Sequence, residues 1–189
     1  QALSNRVGLD LVRDYEWRRL DTIYVFQTTT ALTKTGDTVA NAYTITSMSN
    51  TTSLAAGMVV TGNGVPAFAE ISSVDSGTQV TLNVPLEEAN TAAAFTFATQ
   101  DYAMPSGFDR LVNDTSWDRS DFWPNLGPKS AQEWSWLTGG NLATSPQFRW
   151  RIYQNKIRFF GAPATIYNMA FEYISNYWVI ASGGSAGTK

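Results

Sequence analysis

The chain contains neither histidine nor cysteine in its 189 residues. Without cysteine there are no disulfides, thiolate metal ligands or thiol nucleophiles. Without histidine the commonest general base and the commonest metal ligand are missing. A Ser-His-Asp triad and the usual zinc sites are therefore excluded, and only carboxylate chemistry survives. No apolar run approaches the roughly 20 residues needed to span a bilayer. No charged-then-apolar signal peptide opens the chain, which begins at Gln1 rather than methionine, as a processed or partial amino terminus would. Basic residues are few: 13 Lys+Arg face 16 Asp+Glu, for a net charge of -3. That balance speaks against groove-wrapping nucleic-acid binding, which needs an excess of Lys and Arg. The absences point to a structural assembly protein and not an enzyme.

Hydrophobic residues make up 43% of the chain and aromatics 13%, enough for a real core and in favour of β-structure or large contact surfaces. Leu3, Val7, Leu11 and Tyr15 recur at four-residue spacing, with Arg6, Asp10, Arg13 and Asp14 between them. This pattern predicts an amphipathic helix over residues 1 to about 21, weakened by about 1 kcal/mol at Gly8. Arg13, Arg18 and Arg19 are candidates for contact with an anionic partner, although a solvated or ion-paired face is the plainer reading. Ile23 to Phe26 read as a short strand.

From about Thr28 to Thr99 the composition shifts to Thr, Ala, Ser, Asn and Gly, with no tryptophan. Short β-type runs (Ala42 to Thr46, Met58 to Thr61, Ala69 to Val74, Gln79 to Val84, Ala93 to Phe97) alternate with Gly-, Asn- and Pro-containing turns. The segment reads as a small inserted β-sandwich or barrel. Its Gly57 to Pro66 stretch lacks the lysine spacing of a P-loop, so turn geometry explains the glycines. The sequons at Asn50 and Asn113 read as chance matches.

From about Asp101 the chain is dense in Trp, Phe, Arg and Asp. Ser130 and Glu133 form a capping box for a short helix through Trp134, Trp136 and Leu137, stopped by Gly139 and Gly140. A hairpin follows: Phe148, Trp150 and Ile152 alternate with Arg149, Arg151 and Tyr153, and Ile157 and Phe159 alternate with Lys156 and Arg158 about a turn near Gln154 and Asn155. A further strand is expected from about Ala170 to Ile180, then a flexible tail over 182–189. The whole reads as an α+β chain: a helical N-terminal segment, an antiparallel aromatic-rich β segment and the inserted β-domain.

Two chemical constellations are present. Asp109, Asp114, Asp118, Asp121 and Glu133 contain the carboxylates from which a glycosidase pair would be drawn. Arg110, Arg119 and Lys129 lie among them, and a surface loop or subunit contact has the same composition. Arg149, Arg151, Lys156 and Arg158, with Trp150 and Tyr153, resemble a nucleic-acid surface. Alternation instead sends most aromatics to one face and most charges to the other, the ordinary pattern of a half-buried sheet.

The run from Asp101 through Met104, Pro105, Phe108 and Asp114, then Trp117-Asp118-Arg119 and Trp123-Pro124, forms an ordered motif set. With Leu126-Gly127-Pro128, Gln132-Glu133-Trp134, Trp136-Leu137, Phe148 to Phe160 and Phe171 to Val179, it resembles head-to-tail adaptor (connector) proteins of short-tailed bacteriophages. The likeness covers residues 101–180 well and 1–27 loosely. It implies an adaptor core of residues 1–27 and 100–181 around the 28–99 insertion. Thr52 to Pro66, Ile71 to Val74 and Val80 to Leu82 are similar to small β-modules of phage structural proteins.

The resemblance implies a dodecameric homo-oligomeric ring beneath the portal protein, in the neck of the virion, assembled in the host bacterial cytoplasm. The ring would attach tail and nozzle proteins and leave an axial channel for double-stranded DNA, without sequence-specific binding, membrane contact, cofactor or metal. Trp117, Arg119, Trp123, Trp134 and Trp136 are the expected packing or interface anchors, since Trp and Arg dominate interface energetics, with a plain core role the alternative for each tryptophan; Arg13, Arg18 and Arg19 are weaker candidates. Two other classes remain open: a host- or glycan-binding tail module on the middle β-domain, and a lytic glycan hydrolase using acids around Asp114 and Asp118.

Overall fold

The computed structural model describes residues 6–7, 10–11, 14, 20–139 and 147–177. It corrects the α+β expectation: the described residues are mostly β, 46% strand and 10% helical, with antiparallel sheets and, among elements fully described, one short helix. Before Leu20 only Arg6, Val7, Asp10, Leu11 and Asp14 are described, with helical backbone and exposed side chains. No amino-terminal helical layer stands among the described residues. A stripe becomes a structural layer only where a surface buries it, and Val7 and Leu11 are exposed.

In chain order the strands are β1 (Asp21–Gln27), β2 (Leu32–Thr38), β3 (Thr44–Thr46), β4 (Val59–Gly62), β5 (Ile71–Ser76), β6 (Gln79–Leu82), β7 (Asn90–Ala98), β8 (Asp101–Ala103), β9 (Phe108–Leu111), β10 (Trp117–Asp118), β11 (Trp123–Pro124), β12 (Arg149–Tyr153), β13 (Lys156–Phe160) and β14 (Asn168–Ser175). The helix, α1, is Ala131–Gly139. The chain divides into two compact units: residues 1–26, 104–125 and 168–189, and residues 27–103 and 126–167.

The second unit holds a six-stranded sheet in the order β4-β7-β2-β3-β6-β5. Its two edges meet at an antiparallel bridge between Val59 and Glu70, where the Ile71 N–H donates to Met58 O at 2.9 Å and the Val60 N–H to Ala69 O at 2.8 Å. The sheet thereby closes into a small barrel, which leaves no open edge. Period-2 alternation fills it: Phe95 and Phe97 of β7, Val80 and Leu82 of β6, Ile45 and Val60 point inward and are buried. Each such side chain contributes about 1.5–3 kcal/mol. Gly62 has a packing reason, because a Cβ there would lie 2.5 Å from Phe95 Cδ1.

Two carboxylates brace this barrel from outside. Asp37 Oδ1 accepts the Ala92 N–H at 2.7 Å, and Asp75 accepts the hydroxyls of Ser73 and Thr81, both at 2.6 Å. The Ala92 bond, then Ser47, lowers the Asp37 pKa; the Ser73 and Thr81 bonds lower that of Asp75. A depressed carboxylate stabilises above its unfolded pKa, here 3.8, and that stability is lost as pH falls through the folded value. The double variant Asp37→Asn, Asp75→Asn should therefore be less stable than wild type at neutral pH. Urea midpoints should converge as the pH drops below 3.8; a constant gap in acid would contradict the assignment.

The same unit contains a three-stranded sheet, β12-β13-β8. The β12–β13 hairpin pairs Trp150 with Phe159 and Ile152 with Ile157. Its two-residue turn, Gln154-Asn155, has positive φ at both residues (48° and 58°), the geometry that matches strand twist. The capping box opens α1: Ser130 Oγ accepts the Glu133 N–H at 3.2 Å, and Glu133 Oε2 accepts the Ser130 N–H at 2.9 Å.

The first unit is built on β14, whose first half pairs β10 and whose second half pairs β9, in a sheet ordered β1-β14-β10-β11. Tyr24 and Phe26 of β1 pack edge-on against Phe171 at 5.4 and 6.5 Å. Ile23 and Val25, on the opposite face, are exposed.

Candidate interaction surfaces

In the first unit, β10 and β11 are joined by the turn Arg119-Ser120-Asp121-Phe122. Asp118 is only 2% exposed, and its Oδ1 accepts the Ser120 N–H at 2.8 Å. Ser120 Oγ accepts the Asn168 N–H at 2.9 Å, while the Arg119 N–H donates to Asn168 O at 2.7 Å. These bonds pin the turn to the start of β14. Asp118 is therefore the anchor of a turn, an arrangement that needs no reacting partner.

The pinned turn presents Phe122 to solvent at 80% exposure with φ +61°. A bulky residue in the left-handed region costs on the order of 1–3 kcal/mol, and exposing the ring forfeits its burial. Beside it Trp117 is 45% and Trp123 47% exposed. Trp117 pairs with Pro124 and Ala170, whereas Trp123 pairs with Asp118, so the two indoles project from opposite faces of the ribbon. Arg119 is exposed, and it shares a cavity of about 200 Å³ with Ile23, Asp114, Trp117 and Glu172.

The predicted carboxylates divide between other tasks. Glu133 belongs to the helix cap and is held below its ordinary pKa chiefly by the Ser130 N–H. Asp114 and Asp121 are exposed, and Asp109 is half-buried in β9. No group of three or more acidic, histidine or cysteine residues suited to a metal is found among the described residues.

In the second unit the basic hairpin is largely committed internally. Arg158 Nε and Nη2 grip Asp101 at 2.7 and 2.6 Å, and Nη1 reaches Glu70 Oε1 at 3.3 Å. The Asp101 bonds raise the Arg158 pKa against the opposing effect of burial. Arg151, opposite Arg158 in the register, lies 4.4 Å from the Trp134 ring centroid and 4.5 Å from that of Tyr153. Burial, then the charge of Arg158, lowers its pKa. Trp150 is buried, so it offers no face on which a base would stack.

Beside the clamp lies a cavity of about 370 Å³ between the outer faces of β4 and β7, β13 and α1. Phe68, Trp134, Phe160, Val59, Ala98 and Ala164 give it apolar walls. Phe68 is held at φ +62° with its ring 5.6 Å from Phe160. Trp134, 7% exposed, is wedged between Phe160 and Arg151, while Trp136 of the same helix is 68% exposed. Among the five anchors expected from sequence, Trp117, Arg119, Trp123 and Trp136 are thus open to solvent, and Trp134 is packed inside. Arg13, Arg18 and Arg19 lie outside the described residues.

Sequence reasoning missed Phe122, Phe68 and the Arg158–Asp101–Glu70 clamp. Phe122 left one signal: a lone large apolar residue directly after the turn-forming Arg119-Ser120-Asp121. Comparison of the chain with protein-family models, curated proteins and solved structures finds no match.

Proposed function

We propose that this chain is a structural virion protein that forms the head-to-tail adaptor ring between portal and tail, leaving an axial channel for DNA. One observation carries the reading. Trp117-Asp118-Arg119 and Trp123-Pro124, central to the likeness to connector proteins, flank the turn on which three large aromatics stand exposed. Large exposed aromatics are the side chains that most often anchor protein–protein contact. Asp118 serves a turn and Glu133 a helix cap, while Arg158 is paired and Arg151 stacked, which favours contact over hydrolysis and over nucleic-acid binding. The ring would meet the portal on one side and tail and nozzle proteins on the other, in the neck of the particle.

Removing this chain from an infecting phage should yield DNA-filled heads that lack tails and lose their DNA. Tailed, infectious particles assembled without it would contradict the proposal.

A further inference from the structure

We propose that Phe122 of one copy inserts into the Phe68–Phe160–Trp134 cavity of a second copy, making the contact that joins neighbouring subunits. The inference rests on the reading that copies of this chain assemble together, and it names the two surfaces that meet.

The nature of the cavity selects the occupant. Its charged groups are already satisfied: Arg158 pairs with Asp101 and Glu70. Gln100 Nε2 donates to Gly57 O at 3.3 Å, and Thr138 Oγ1 donates to Trp134 O at 3.0 Å. Most of the lining is apolar, so a sugar would bury its hydroxyls against few partners. An apolar group of side-chain size has no such cost, and the aromatic walls offer edge-to-face contact.

The chain itself carries a group of that kind. Phe122 stands on a turn held by Asp118, Ser120 and Asn168, so little freedom remains to be lost on insertion. Its backbone is held at positive φ and its ring is 80% exposed. Knob and cavity lie in different units of the chain. Made head to tail, a contact between them generates a ring when the rotation closes and a filament when it does not.

The absence of native cysteine makes the test clean. Asp121→Cys places a thiol beside the knob and Ala67→Cys places one at the cavity, both at exposed positions that leave Phe122 and Phe68 intact. When the two full-length variants are mixed and mildly oxidised, the mixed disulfide should far exceed either homodimer. Adding Phe122→Ala to the Asp121→Cys chain should cut its yield by about tenfold or more, the loss of one hot-spot anchor. Homodimers alone, a statistical mixture, no cross-link, an Asp121–Ala67 disulfide within single chains of the double variant, or indifference to Phe122→Ala would each overturn the contact. Such a failure, with the chain still found at the portal–tail junction of virions, would refute this contact and leave the adaptor reading standing.

Discussion

Arg158→Ala is expected to lower the stability of its unit by about 2–4 kcal/mol, a fall in melting temperature of roughly 5–12 °C. The guanidinium grips Asp101 through two nitrogens and reaches Glu70 with the third. Its side chain is 13% exposed and those of Asp101 and Glu70 are 16% and 27%, so water screens the pairs only partly. Removing the cation leaves two partly buried carboxylates without the guanidinium that pairs them, the costly way to break such a pair. The residual exposure puts the loss below that of a fully dry pair. Arg158→Lys keeps the charge but loses the fork, and should fall between wild type and alanine. Adding Asp101→Asn to Arg158→Ala should recover part of the loss, as expected for coupled neighbours. The raised pKa of Arg158 means that its own deprotonation removes this stability only in strong alkali, so substitution is the informative probe. A loss under about 1 kcal/mol would mean the clamp behaves as a surface ion pair.

Trp134→Ala should cost about 3–5 kcal/mol, while Trp136→Ala should change stability by no more than about 0.5 kcal/mol. The residues are two positions apart on α1, which sends them to different faces. Trp134 fills the space between Phe160 and the Arg151 guanidinium, so its loss leaves a void beside an existing cavity and removes one aromatic face from that guanidinium. Trp136 touches solvent over most of its surface. Thermal melts of the two variants separate packing from contact, and equal effects would undo the distinction.

Local patterns in the sequence were the legible part. Alternation from Phe148 to Phe159 placed the hairpin and its turn, and Ser130 with Glu133 marked the start of α1. Regular punctuation between residues 28 and 99 marked the short strands of the barrel. Strands β10 and β11 have two residues each, too few for any period to show. The α+β reading failed because four-residue spacing of apolar residues near the amino terminus records a pattern, not a surface that buries it. The Arg158 clamp was invisible for a different reason: its partners lie 57 and 88 residues away, and barrel closure alone brings Glu70 to the β4 edge. Exposure of Phe122 likewise emerges only from the bonds of Asp118 and Ser120 that fix the turn.

The central claim is that this protein works by contact, as the ring between portal and tail. Electron microscopy of intact virions, with this chain located in the density, tests it most directly. The account predicts a ring of copies at the portal–tail junction, with the exposed aromatics around Phe122 buried between neighbours. Density for the chain anywhere else on the particle, or its absence from the virion, would contradict it.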